Sequence, residues 1–365
     1  MEYYRESLSL IPALFSLAAF AFCSTVRAET QPLDPSQARL DTGKGIAWYD
    51  VRLLGVEGKG WSDTEGYYDR LPARARGVVR QPVWDLSRHS AGLCVRFTTD
   101  ARSISVAWDG GEAMPHMAAT GVSGVDLYVR REGEWRFLRE GRPGKDWTVA
   151  ELVSGLSGSL QEYILYLPLY NRVAKVELGV PKEALLSHLP SPAGKPVVFY
   201  GTSITQGGCA SRPGMCHTAL LGRWLDREFI NLGFSGNGMM EPEMAALLAE
   251  LDPALYVIDC IPNVDLKIGE LTAPLVKIIR EKHPDTRILL VEDVRPGDEP
   301  ANALLRREFN KLVAAGDRNL FLMDGQNMLG GYGLEATVDG RHPTDLGFMK
   351  MAEAFRPVIE TLLGE

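Results

Sequence analysis

From Lys195 onward the chain repeats one rhythm: a short apolar run, a loop, an amphipathic stretch, then the next apolar run. The runs fall at residues 197–200, 229–232, 254–259, 287–292 and 319–323. Unalternated apolar runs of this length, bounded by turn residues, read as strands buried on both faces, and strands that alternate with helices form a parallel sheet. Met244, Leu247, Leu248 and Leu251 share one helical face, as do Leu304, Leu305, Phe309, Leu312 and Val313. A last helix is expected from Pro343, burying Phe348, Met351, Phe355 and Leu362 and kinking at Pro357. The expectation is an α/β domain over 195–365 with five strands in one parallel sheet. Ligands of such sheets sit beyond the C-terminal strand ends.

The front of the chain follows a different pattern. Short β-branched or aromatic runs at 93–97, 103–108, 125–130, 135–139, 163–167 and 173–178 are separated by Asp, Gly, Arg and Pro clusters. Residues 126–130 and 135–138, flanking Glu132-Gly133, read as a hairpin. Many short strands with almost no helical periodicity predict a β-sandwich, jelly-roll-like, over 40–180. Residues 181–194 are the expected linker.

Residues 1–28 read as an export signal: Arg5 in the polar start, an apolar core from Leu8 to Phe22, and Val26-Arg27-Ala28 as a cleavage site. That core is short for a membrane span. The mature chain is therefore expected to be periplasmic or secreted, without integral membrane association. Cleavage removes two acidic and two basic residues, so the formal charge stays at -8. An acidic chain without Lys/Arg runs lacks the footprint that nucleic acid requires. Of five cysteines, four remain after cleavage. Cys94 and Cys260, in apolar runs, are expected as buried thiols. Cys209 and Cys216 bracket a short loop, and in an oxidising compartment they either pair or stay free; the sequence leaves both open.

Chemistry gathers at the predicted strand ends. Gly201-Thr202-Ser203-Ile204-Thr205 places a hydroxyl just beyond the first strand, making Ser203 the candidate nucleophile. Asp339-Gly340-Arg341-His342 sets a carboxylate three residues before an imidazole, a spacing that lets Asp339 hold the ring tautomer while His342 takes the serine proton. Gly236 after the second strand, the Asn263 side chain after the third, and the Ser203 N–H are the expected oxyanion donors.

The blocks G-T-S-I-T-Q-G-G, N-L-G-F-S-G-N-G, I-P-N and D-G-R-H-P-T-D-L-G, in this order, resemble the SGNH (GDSL-like) hydrolase superfamily. The resemblance covers roughly residues 195–365. It implies a three-layer α/β/α fold, Ser203, His342 and Asp339 as the triad, and Gly236 and Asn263 at the oxyanion. Two positions depart from the family pattern: Thr202 stands where Asp is usual, and Ile261 where Gly is usual. Met114-Pro115-His116 followed by Gly124-Val125-Asp126-Leu127-Tyr128 resembles the GxDLY-type domain that precedes one branch of these hydrolases. The two-domain layout is also similar to carbohydrate esterases, implying an esterase of O-acyl, above all O-acetyl, groups on a small molecule or glycan. A lipase- or thioesterase-like acylhydrolase and a catalytically weak carbohydrate-binding protein are the competing readings.

Three further residues are candidates for contact with substrate. His116 either enters the cleft from the front domain or, the favoured reading, stabilises a sandwich loop. Arg212 meets a substrate oxygen or faces solvent. Glu292, ending the fourth strand beside Asp293, binds a hydroxyl or caps the strand. His217 lacks a carboxylate at triad spacing and ranks below His342. No metal or nucleotide motif is present, so no cofactor is expected. The sequence is silent on oligomeric state.

Overall fold

The computed structural model describes residues 31–295 and 299–364, so the expected export signal lies outside the described residues. The front of the chain forms two five-stranded antiparallel sheets. One has the order β1 (Arg39–Asp41), β2 (Ile46–Asp50), β9 (Val176–Pro181), β4 (Ser103–Asp109), β7 (Trp147–Ser154). The other runs β10 (Leu186–His188), β3 (Cys94–Thr99), β8 (Gln161–Tyr166), β5 (Val125–Arg131), β6 (Glu134–Gly141). Trp108, Phe97, Val106, Leu127, Leu165 and Leu178 fill the space between them. The expected sandwich is present, and the hairpin is β5 paired with β6. Residues 181–194, expected as a linker, contain β10, which pairs with β3 and belongs to the second sheet.

The second half is a parallel sheet of order β12 (Phe229–Gly233), β11 (Val197–Gly201), β13 (Leu255–Asp259), β14 (Arg287–Val291), β15 (Leu320–Met323). Alternation along β11 explains the three layers. Val197 and Phe199 pack toward α4 (His217–Trp224) and α9 (Asp345–Leu363), whereas Val198 and Tyr200 pack toward α5 (Pro242–Leu248), α7 (Ile268–Lys282) and α8 (Glu299–Ala314). The last helix begins at Asp345 rather than Pro343 because Thr344 caps it, and it runs through Pro357 to Leu363.

One part of the front half does not belong to the sandwich core. Trp61, Leu71, Ala75 and Val79, together with Val83 and Trp84 of α1 (Gln81–Ser87), are buried in the hydrolase-side core beside Ile230, Leu232 and Met244. The stretch between β2 and β3 thus covers the edge strand β12. It brings polar side chains to the C-terminal end of that strand.

Candidate active site

The nucleophile turn follows from β11 being buried along its whole length. The strand ends at Gly201, where a Cβ would lie 2.1 Å from the Thr205 hydroxyl and 2.5 Å from the Asp259 carbonyl, so no side chain fits. Thr202 is extended, and its hydroxyl accepts the Ile204 N–H at 3.2 Å, opening the single helical turn α3 (Ser203–Gln206). The Thr202 hydroxyl thus caps the turn that carries Ser203. The turn leaves Ser203 7% exposed, with its N–H lacking a protein acceptor among the described residues.

The partner loop is closed within itself. Thr337 and Pro343 form an antiparallel bridge, and the Val338 N–H reaches the His342 carbonyl at 2.8 Å. Asp339 divides its carboxylate between two tasks. Oδ1 accepts the backbone N–H groups of Arg341 (3.0 Å) and His342 (2.8 Å), and Oδ2 accepts from His342 Nδ1 at 2.8 Å. The opposite ring atom, Nε2, lies 2.8 Å from Ser203 Oγ. With Nδ1–H fixed on the carboxylate, Nε2 is the acceptor and the serine hydroxyl donates. Partial burial pushes the Asp339 carboxyl up, but the backbone and ring donors of His342 outweigh it and bring it down to about 2. Asp339 is therefore ionised throughout the neutral range.

The oxyanion side is built around the turn after β12. Gly236 has a φ of +66°, a backbone that other residues rarely adopt, and its N–H has no protein acceptor among the described residues. Asn263, on the short helix α6 (Ile261–Val264), is satisfied when its Oδ1 accepts the N–H groups of Asn237 (3.0 Å) and Gly238 (3.1 Å). The opposite orientation offers a single 3.5 Å contact from Nδ2 to the Phe234 carbonyl. The satisfied orientation turns the NH₂ toward acceptors, as an oxyanion donor requires. Ile261 is buried in the core beneath this helix, so its side chain replaces the usual glycine on the inner face, away from the donor.

Side chains that local sequence patterns do not reveal hold this turn. Arg70, fully buried, donates to the carbonyls of Gly233 (2.7 Å), Asn231 (3.1 Å), His89 (2.8 Å) and Leu86 (2.8 Å). Burial without a carboxylate partner pulls its guanidinium down to about 9. Arg80 grips the same turn from outside, donating to the Asn237 side-chain oxygen (2.7 Å) and backbone carbonyl (3.0 Å). Gln206 Oε1 accepts the Ser235 N–H at 3.0 Å. Gln206 sits three residues after Ser203 in the quoted block and was within reach of sequence reasoning. Arg70 and Arg80 carry no local signal.

The remaining candidates divide. The exposed ring of His116 lies 6.1 Å from that of His342. Arg212 is turned to the sandwich. It pairs with buried Asp126 at 2.9 Å, donates to the Tyr128 hydroxyl and stacks 4.0 Å from the Phe137 ring, tying the nucleophile side to the sandwich. Glu292 is also withdrawn, buried and bonded to Arg306 at 2.7 Å. Cys209 and Cys216 are free thiols: the Cys209 sulfur is directed at the His116 carbonyl (3.6 Å) and the Cys216 sulfur at the Thr205 carbonyl (3.5 Å). His217 stacks on Phe348 and Phe355, and burial drives its ring down to about 3. Beneath the nucleophile turn, burial raises the Asp259 carboxyl to about 7, aided by nearby Asp293 and opposed by the Thr205 hydroxyl.

Residues 194–360 match the family model described as the GDSL-like lipase/acylhydrolase family, and residues 46–186 match that of the N-terminus of SGNH-hydrolase-type esterases. Among solved structures, a protein of Bacteroides ovatus described as a GDSL-like lipase is 34% identical with a TM-score of 0.84, covering 87% of this chain and 98% of that one. A salicylyl-acyltransferase from a tetracycline biosynthetic pathway is 20% identical with a TM-score of 0.70 over the same shares, 87% and 98%. A family two carbohydrate esterase from Clostridium thermocellum, solved with cellohexaose, is 19% identical with a TM-score of 0.58, covering 75% of this chain and 93% of that one. The last two are likenesses of fold. No curated protein matches the sequence.

Proposed function

The chain belongs to the GDSL-like lipase/acylhydrolase family, whose reaction is carboxylic ester hydrolysis, and from that premise we propose a serine esterase that removes O-acyl, above all O-acetyl, groups from carbohydrate. The observation that carries it is the unbroken line Ser203 Oγ to His342 Nε2 to Asp339, 2.8 Å at each step. In the first step the serine proton passes to Nε2 while Oγ bonds to the acyl carbon, and the carbonyl π pair moves onto oxygen. The N–H groups of Ser203 and Gly236 and the amide of Asn263 receive that charge, each worth about 3 kcal/mol in such sites. Collapse expels the alcohol, which takes the proton back from Nε2. Water then repeats the sequence on the acyl-enzyme, releasing the acid and free serine.

The fold is shared over 75% of this chain with a carbohydrate esterase solved with cellohexaose, which supports a glycan as the alcohol part. With residues 1–28 as an export signal, the enzyme acts in the periplasm or outside the cell. No helix among the described residues is long and apolar enough to cross a membrane.

The test is acetate release from a chromogenic acetyl ester and from a panel of acetylated oligosaccharides, comparing wild type with Ser203→Ala and His342→Ala, with circular dichroism on each. Both substitutions are expected to lower turnover by about a thousandfold or more with the fold kept. Activity retained by folded Ser203→Ala would remove the serine mechanism.

A further inference from the structure

An open cleft lies against the turn that carries Gly236, beside but not including Ser203 and His342. Ser235 and Asn237 form its wall on the parallel-sheet side; α1, His89, Tyr170 and residues 112–114 supply the rest. The Tyr170 hydroxyl reaches the Ser203 carbonyl at 3.3 Å, so the cleft abuts the nucleophile turn.

The polar groups of the cleft are fixed or ready. Gln206 has its Oε1 committed to Ser235, so its Nε2 donates to the Leu169 carbonyl (3.1 Å) and to His89 Nδ1 (3.3 Å). His89 Nδ1 therefore accepts, and the ring proton sits on Nε2. That N–H has no protein acceptor among the described residues. Burial, with the Arg70 charge second, holds the ring down to about 4, keeping it a neutral donor. Asp85 and Glu112 are exposed acceptors. Asp85 gives one oxygen to Gln81 at 2.7 Å and keeps the other. Between these groups Leu86 and Met114 offer apolar surface.

An alkyl chain placed here would desolvate two carboxylates and an imidazole without giving them partners. A ring bearing several hydroxyls gives each of them a partner and lays its C–H faces on the apolar side chains. Two carboxylates also repel anionic ligands. We propose that this cleft is a saccharide subsite, in which Asp85, Glu112 and His89 bind hydroxyls of a neutral glycan whose ester lies at Ser203. The position of the ester rests on the esterase reading; the chemistry of the cleft does not.

Isothermal titration of unsubstituted xylo-, cello- and mannohexaose into the full chain tests it, comparing wild type with the double variant Asp85→Asn, Glu112→Gln, while turnover of a chromogenic acetyl ester is followed in parallel. Wild type is expected to bind at least one hexaose. The double variant should bind it about tenfold more weakly, with acetyl-ester turnover unchanged within about twofold. Absence of binding to all three hexaoses, or equal binding by the double variant, overturns the subsite. Hexaose binding that depends on these carboxylates in a protein inert toward the acetyl ester would keep the subsite and sink the esterase reading instead.

Discussion

Ser203 and His342 meet through two loops that close on themselves, one by bonds from Gly207 and Gly208 back to the Ser203 carbonyl, the other by Asp339 bonding three residues ahead. The turn carrying Gly236 is held differently. Arg80 and Arg70 reach it and the end of β12 from 157 to 163 residues away. The Ser203–His342 side is thus closed mainly by bonds within its own loops, with front-half contacts such as the Tyr170 hydroxyl on the Ser203 carbonyl added to them, whereas the oxyanion turn is gripped by arginines of the front half.

Arg70→Met is the harshest test of that division. It strands three carbonyls, those of His89, Asn231 and Gly233, while the Leu86 carbonyl keeps the His89 N–H at 3.1 Å, and buried acceptors without donors cost about 1 kcal/mol or more apiece. We expect a stability loss of roughly 3 kcal/mol or more, and a fall in turnover even after correction for the folded fraction. Thermal unfolding and active-site titration with a fluorophosphonate separate the two. A variant that is destabilised but turns over normally per folded molecule would break the comparison.

Asn263→Ala removes the proposed oxyanion donor and one acceptor of the Asn237 and Gly238 N–H groups, which both keep their bonds to the Phe234 carbonyl at 2.8 and 3.0 Å. The expected loss is about a hundredfold in kcat with unfolding temperature nearly unchanged. The contrast with Arg70→Met is the useful result: one variant loses chemistry alone, the other chemistry and stability together. Near wild-type turnover would take Asn263 out of the site.

The sequence made one kind of information legible and hid another. All five parallel strands were readable because each is a short apolar run buried along most of its length, and the Ser203, Asp339 and His342 positions could be singled out because each follows a strand or precedes a helix within a compact motif. Side-chain direction was not. Arg212 and Glu292 stand at the expected edge, but charge partners on other elements, Asp126 and Arg306, turn them inward. Cys209 and Cys216 are near in sequence, yet their sulfurs meet different carbonyls. The stretch containing Trp61, Leu71 and Trp84 has apolar residues scattered among Asp, Arg and Gly, and no periodicity names the core it joins. Strands β1, β7 and β10 were missed because each is a sheet edge, two of them three residues long and β7 with mostly exposed and half-buried positions, and β2, paired on both sides, because its apolar run is only Ile46 to Tyr49.

Arg80→Ala has the smallest expected effect and sharpens the comparison most finely. Arg80 is a partly exposed side chain, and its ion pair with Glu241 contributes little to stability in water, so the unfolding temperature should move by no more than about 2 °C. Its two bonds to Asn237 are another matter, because they fix the residue between the Gly236 N–H and the amide of Asn263. Slackening that turn should lower kcat about three- to tenfold and leave KM for a small acetyl ester unchanged, since the donors act on charge present in the transition state. A rise in KM at constant kcat would instead place Arg80 in ground-state binding. No kinetic change at all would mean that Arg70 and Gln206 hold the turn without help from the surface.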